Sequence, residues 1–291
     1  MQTTELTVAT SQSLTLPWQE CIVIPLGDLQ LGSTGVDIDR FRRTIKWAKD
    51  QEAKGGPPVY FIGMGDEVDV MSPSNRAIWR RSELYDSVQQ AMEDKATELE
   101  EQFLREVRGT EGRWLGCLTG HHFFEHADGT TSTTRIAERL RAPHLGHCAF
   151  VNLNFKHPTS NHKITCTIWA HHGKGSGIMP HAPLNALYRV LTHFEADIYL
   201  IGHMTRKAAV TTPRLYYANG KIVDRKKILA GTGGFSKGYM LNSRGVSGRL
   251  EGNYVEQGMM APASLGSIVL RIRPVFGGRR TADRIDMNVE V

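Results

Sequence analysis

Cys21-Ile22-Val23-Ile24-Pro25-Leu26-Gly27-Asp28-Leu29-Gln30 begins as an apolar run and turns on glycine to a carboxylate. Val59-Tyr60-Phe61-Ile62-Gly63-Met64-Gly65-Asp66-Glu67-Val68-Asp69 repeats the design further along the chain. Short apolar runs closed by glycine read as buried strands. Between them, Asp37 can cap a helix that sets Ile38, Phe41, Ile45 and Ala48 on one face, and Gly55-Gly56-Pro57-Pro58 stops it. Strand, helix, strand in that order implies a parallel pair joined by a crossover. Asp28 and Asp66 then stand at equivalent strand ends, on one edge of a sheet.

Three further apolar runs end on histidine. Trp114 to Leu118 leads to Gly120-His121-His122, Ile164 to Ala170 leads to His171-His172-Gly173, and Ile198 to Ile201 leads to Gly202-His203-Met204-Thr205. One Gly-Asp pair alone is an ordinary turn. Five such segments at strand ends go beyond turn formation, because the ends of neighbouring strands converge. Carboxylate and imidazole donors gathered there suit one or two divalent cations. Adjacent side chains diverge, so one of His121 and His122 is expected as a ligand and the other as a general acid or phosphate-binding group. Glu125 or His126 is expected to orient His122. The glycines around Lys174 (Gly173, Gly175 and Gly177) allow close backbone approach, so the loop is expected to hold phosphate oxygens, with Lys174 on the substrate; the alternative is a flexible glycine loop without a ligand. His144, His147, His162 and His193 read as bystanders.

Around this frame, residues 1–17 are rich in Thr, Ser and Gln and read as a loose arm before a single domain over 18–291. Helices are expected over 82–107, 131–141 and 184–193. Ala149, Val151, Leu153 and Phe155 alternate as in a half-buried strand. Short strands are expected at Ala208 to Thr211, Lys227 to Leu229 and Ser267 to Ile272. Phe235 through Tyr254 is expected to close the second sheet rather than to form a substrate wall. The class is α/β, two sheets packed face to face with helices outside. The net charge of +5 allows a polyanionic partner. Yet the cations are scattered, apart from Arg76, Arg80 and Arg81, Arg225-Lys226-Lys227 and Arg279-Arg280. Cys21, Cys117, Cys148 and Cys166 form no CxxC pair and read as small buried hydrophobes in a reducing compartment. No run approaches the ~20 apolar residues of a membrane span; a cytosolic protein with no membrane partner is expected.

Taken in order, Gly-Asp, Gly-Asp, Gly-x-His, His-Gly and Gly-His resemble the calcineurin-like metallophosphoesterase superfamily. Its pattern is Asp-x-His, Gly-Asp-x-x, Gly-Asn-His-Asp/Glu, a histidine before glycine, and Gly-His-x-His. The resemblance spans residues 20 to 210, and His172-Gly173-Lys174-Gly175 is similar to phage and prophage members. It implies a four-layer α/β/β/α sandwich carrying a two-metal centre. By resemblance, Asp28 is the first ligand of the first metal and Asp66 the bridging carboxylate. His121, His172 and His203 complete the second metal, and His122 contacts phosphate or protonates the leaving group.

Two positions depart from the pattern. Gln30 replaces a histidine ligand, and Thr205 replaces the last histidine of Gly-His-x-His; in the family both serve the first metal. That site keeps Asp28, Asp66 and the Gln30 amide oxygen, donors that favour Mg²⁺ or Mn²⁺. The imidazole-rich second site suits Mn²⁺, Ni²⁺, Fe²⁺ or Zn²⁺, so Mn²⁺ is the expected cofactor, as one or two ions. Phe123 also stands where the family carries a carboxylate. The implied activity is hydrolysis of a phosphate ester by in-line attack of a metal-bound hydroxide. A phosphodiester, in nucleic acid or a nucleotide, is expected ahead of a small monoester. Asp66 and His122 are the expected catalytic residues, with His122 and Lys174 on the substrate. The alternative is a catalytically degenerate scaffold that kept the fold, since both departures weaken the same site.

Overall fold

In the computed structural model, which describes residues 11–70, 85–175, 179–218, 220–245, 247–277 and 282–291, the two apolar runs pair as parallel neighbours. They sit in a five-stranded sheet ordered β12 (Arg284–Glu290), β11 (Val269–Val275), β2 (Cys21–Leu26), β3 (Val59–Gly63) and β4 (Trp114–Cys117). The second sheet has seven strands. Its path runs β1 (Ser11–Pro17), β5 (Cys148–Lys156), β6 (Lys163–His171), β7 (Ile198–Ile201), β9 (Lys221–Gly234) and β10 (Gly266–Ser267), with β8 (Lys207–Ala218) paired to β9. Strands β2, β3 and β4 run parallel, as do β6, β7 and β9. Each sheet therefore delivers several strand ends to one edge.

Side-chain period decides the layers. Along β5, Ala149, Val151, Leu153 and Phe155 are buried, and they meet Val23, Ile62 and Leu270 of the other sheet in one inter-sheet core. The opposite face of β2 presents Ile22, Ile24 and Leu26 to a second core. Helices α1 (Ile38–Ala53), α2 (Asp86–Glu106) and α3 (Ser132–Arg139) cover that face. Helix α4 (Ala182–Val190) covers the outer face of the seven-stranded sheet through Leu187 against Trp169 and Tyr199. The result is the expected helix, sheet, sheet, helix order. Strand β2 is buried on both faces, which is why its sequence is apolar without alternation.

The caps follow the sequence. Asp37 Oδ1 accepts the Arg40 N–H at 3.2 Å, and α1 buries Phe41, Ile45 and Ala48. Thr131 and Thr134 form a reciprocal capping box on α3, each side-chain oxygen accepting the other's backbone N–H. Thr131→Ala is expected to cost about 1 kcal/mol of stability in urea denaturation without altering metal affinity.

Three expectations are corrected. The latter part of the supposed arm is edge strand β1, paired with β5 from Ser11 to Pro17 with Leu16 buried, while residues 1–10 lie outside the described residues. The short strands at 208–211 and 227–229 are parts of a long ribbon, β8 against β9 from Lys207 to Ala218. The described residues of 236–263 do not continue the sheet; apart from a bridge of Ser236 to Val36, their regular structure is a short helix, α5 (Tyr254–Gln257). Arg76, Arg80, Arg81, Gly177, Arg279, Arg280 and the start of the helix at 82–84 lie outside the described residues. None of the four cysteines forms a disulfide, and burial pushes the Cys21 thiol up to about 12. No helix among the described residues is long and apolar enough to cross a membrane.

Candidate metal centre

Strand register brings the five segments together. Leu26 pairs with Gly63 and Gly63 with Cys117, so β2, β3 and β4 release Asp28, Asp66 and His121 side by side. On the facing sheet His171 pairs with Ile201, which sets His172 beside His203. Backbone bonds lock the loops: Asp28 N donates to Gly65 O and Gln30 N to Asp66 O, both at 2.9 Å. Asp28, Gln30, Asp66, His203 and Thr205 all hold left-handed backbone, with φ between 49° and 64°. Such a conformation costs a non-glycine residue about 1–2 kcal/mol. Five of the eight such residues in the described chain lie in these segments, and strain concentrated in this way marks functional sites.

Asp66, His121, His172 and His203 converge, with one ligating atom from each lying within 4.8 Å of all the others. His172 Nε2 is 3.1 Å from His121 Nδ1, His121 Nδ1 is 3.2 Å from His203 Nδ1, and His172 Nε2 is 3.3 Å from Asp66 Oδ2. Donors around a cation bound at about 2.0–2.2 Å are separated by roughly 2.8–3.6 Å, from octahedral to tetrahedral geometry, so these three spacings fit a divalent ion. The chemistry fits as well. His172 Nδ1 donates to the Met64 carbonyl at 2.7 Å, so Nε2 faces the other donors and is the nitrogen that would give up its proton to ligate a cation. Among the described residues, Asp28 Oδ1 is buried without a hydrogen-bond partner, and the buried Asp66 Oδ2 has only the contact with His172 and a distant one with His122. Burial opposes ionisation of Asp66, but His172 beside it outweighs burial and holds the carboxyl well below the usual range. The same contact overcomes burial of His172 and lifts it to about 9, whereas burial lowers His121 to about 4. These residues can hold a divalent metal.

Asp66 Oδ1 has a separate task, accepting the backbone N–H of His121 and of His122, the latter at 2.8 Å. One oxygen thus fixes the histidine loop while the other faces the ligand group. Gly120 permits this. Its backbone is one that any residue adopts, yet a Cβ there would fall on Asp66 Oδ1. Gly120→Ala is expected to lower Mn²⁺ affinity about tenfold or more by calorimetric titration. Gly129→Ala, at φ 83° with open space around it, should cost about 1–2 kcal/mol of stability and leave Mn²⁺ affinity unchanged.

Asp28 stands beside this group but not in it. Its Oδ2 accepts the His203 N–H at 2.9 Å, and burial pushes its carboxyl up to about 7. Gln30 and Thr205 line an open cavity of about 710 Å³ together with His122, Asp69 and His203. Lys174 is exposed and absent from that lining, whereas Gly175 contributes to it. His122 Nδ1 meets Asp69 Oδ1 at 2.8 Å, and of the two expected orienting partners His126 is instead buried against Glu100 at 2.7 Å. Asp69 went unrecognised because its partner lies 53 residues away in sequence. Its only signal was a third carboxylate after Gly65-Asp66-Glu67.

No protein-family model matches the chain, and no curated protein matches it. Fold and site together define a mixed α/β sandwich with a buried aspartate–histidine group suited to a divalent metal.

Proposed function

We propose that the chain is a metal-dependent phosphoesterase of the calcineurin-like type. The observation that carries this reading is the convergence of one carboxylate and three imidazoles on metal-ligand spacing, with His122 beside them on an open cavity. Asp66, His121, His172 and His203 hold the cation, most favourably Mn²⁺, with Asp28, Gln30 and Thr205 as neighbouring oxygen donors. A bound divalent ion supplies Lewis acidity toward phosphoryl oxygens and activates water for in-line attack. His122, braced by Asp69, holds Nε2 at 4.0 Å from Asp66 Oδ2 and is placed to donate a proton to the departing oxygen. A phosphodiester is read ahead of a small monoester, and the net charge of +5 suits an anionic substrate of either kind.

Turnover of bis-p-nitrophenyl phosphate and p-nitrophenyl phosphate tests this reading. Activity should require Mn²⁺, disappear on chelation and return when Mn²⁺ is restored, with the diester preferred. A metal-loaded protein inert on both esters sinks the proposal and leaves the scaffold alternative.

A further inference from the structure

Residues 236–263 form a long loop whose two ends are tied to the strained segments of the metal centre. Phe235 N donates to Asp28 O at 2.9 Å, and Ser264 N donates to Thr205 O at 3.0 Å. Phe235 is buried edge-on against Phe41, which fixes the first end in the core. Within the loop, Asn253 Nδ2 donates to Gly238 O at 2.7 Å, Asn253 Oδ1 accepts the Val255 N–H, and the Tyr239 hydroxyl donates to Met260 O at 2.7 Å. These bonds make the loop a built element, not a slack connection. Long loops of this kind inside a domain are usually functional.

The loop supplies much of the cavity wall beyond His122 and Gln30, through Met240, Val255, Met260 and Ala261. All four are half-buried, and none packs into a hydrophobic core cluster of the described residues. Folding therefore does not account for their apolar character. The exposed lining is mostly apolar, and its cations are few. Lys237 lies 3.9 Å from Asp37, and the buried Arg206 donates to the Met179 carbonyl. A polynucleotide needs a track of cations along its backbone, and among the described residues the lining offers only Lys237 and Arg206. Methionine side chains instead give an adaptable surface for flat or irregular apolar groups. A cavity of this size matches a small molecule.

We propose that the loop 236–263 is the subsite for the organic arm of the ester, and that this arm is uncharged and apolar or aromatic, on a compact phosphoester that enters the cavity whole. This rests on the phosphoesterase reading and narrows its substrate.

The test compares binding of phenylphosphonate and methylphosphonate to the Mn²⁺-loaded protein by calorimetry. The wild type should favour the phenyl compound about tenfold or more, the scale of a modest apolar contact. Met240→Gln combined with Met260→Gln, and separately Val255→Asn, should bring the two ligands to parity while Mn²⁺ affinity is unchanged. Equal affinity in the wild type, or a phenyl preference that survives both variants, overturns the proposal. So does a single-stranded oligonucleotide that binds more tightly than phenylphosphonate. Phenyl preference lost in the variants, but without ester turnover in the wild type, upholds the subsite and counts against the phosphoesterase reading.

Discussion

Exchanging Asp66 for asparagine is expected to remove divalent-metal binding and, with it, any ester hydrolysis. Asp66 is the only carboxylate in the four-residue group, so it supplies all of that group's negative charge. Its two oxygens divide the work, Oδ1 on the His121 and His122 N–H groups and Oδ2 toward His172. Asparagine keeps one oxygen for the histidine loop, so the backbone is retained while the charge is lost. Changing even a group behind a ligand costs about 10- to 100-fold in metal affinity, and losing the charged ligand should cost at least about 100-fold. Thermal unfolding provides a readout independent of turnover. A cation at 100 times its dissociation constant stabilises the native state by about 2.7 kcal/mol. Mn²⁺ should raise the wild-type Tm and leave that of Asp66→Asn unmoved. An unchanged Mn²⁺ response in the variant would exclude this group as the metal centre.

The centre was legible because its segments combine two local signals, an apolar run and a glycine before the donor. Asp66, His121 and His203 each follow such a run and a glycine, His172 follows β6 with its glycine after it, and the parallel registers of β3 with β4 and of β6 with β7 do the rest. Long-range polar contacts were not legible. Asp69 lies three residues after the left-handed backbone at Asp66, and its contact with His122 on the next strand-end loop leaves no local pattern. His126 was open to misreading for the same reason: its partner Glu100 lies on α2. Strand β1 did carry a signal, since Leu14 and Leu16 alternate with Ser13 and Thr15, but polar composition masked it. In the ribbon, Pro213 lies just beyond the expected strand at 208–211, and Arg225 and Lys226 lie just before the one at 227–229. Pro213 is tolerated because β8 pairs on one side only. Lys227 is accepted inside because it donates to Glu195 and Ala196 O, with Asp197 also close by. The loop 236–263 has no period to read, because a cavity wall is not a repeating secondary structure.

His122→Ala should separate catalysis from metal binding. The side chain is not in the ligand group, and the backbone N–H that anchors the loop to Asp66 survives the substitution. Mn²⁺ affinity should therefore be unchanged, whereas kcat should fall by about 100- to 10,000-fold, the usual contribution of a positioned acid or base. Asp69→Asn gives the complementary case. Asp69 touches the imidazole at Nδ1, and burial works against the charged form of His122 while Asp69 raises its affinity for a proton. Asparagine can keep a hydrogen bond but not the charge, so the loss in kcat should be smaller than for His122→Ala. If His122 acts through Asp69, combining the two substitutions should cost no more than His122→Ala alone, because residues acting as a unit are not additive. Additive losses would mean that Asp69 acts on the substrate by a route of its own, and wild-type kcat in His122→Ala would remove His122 from the mechanism.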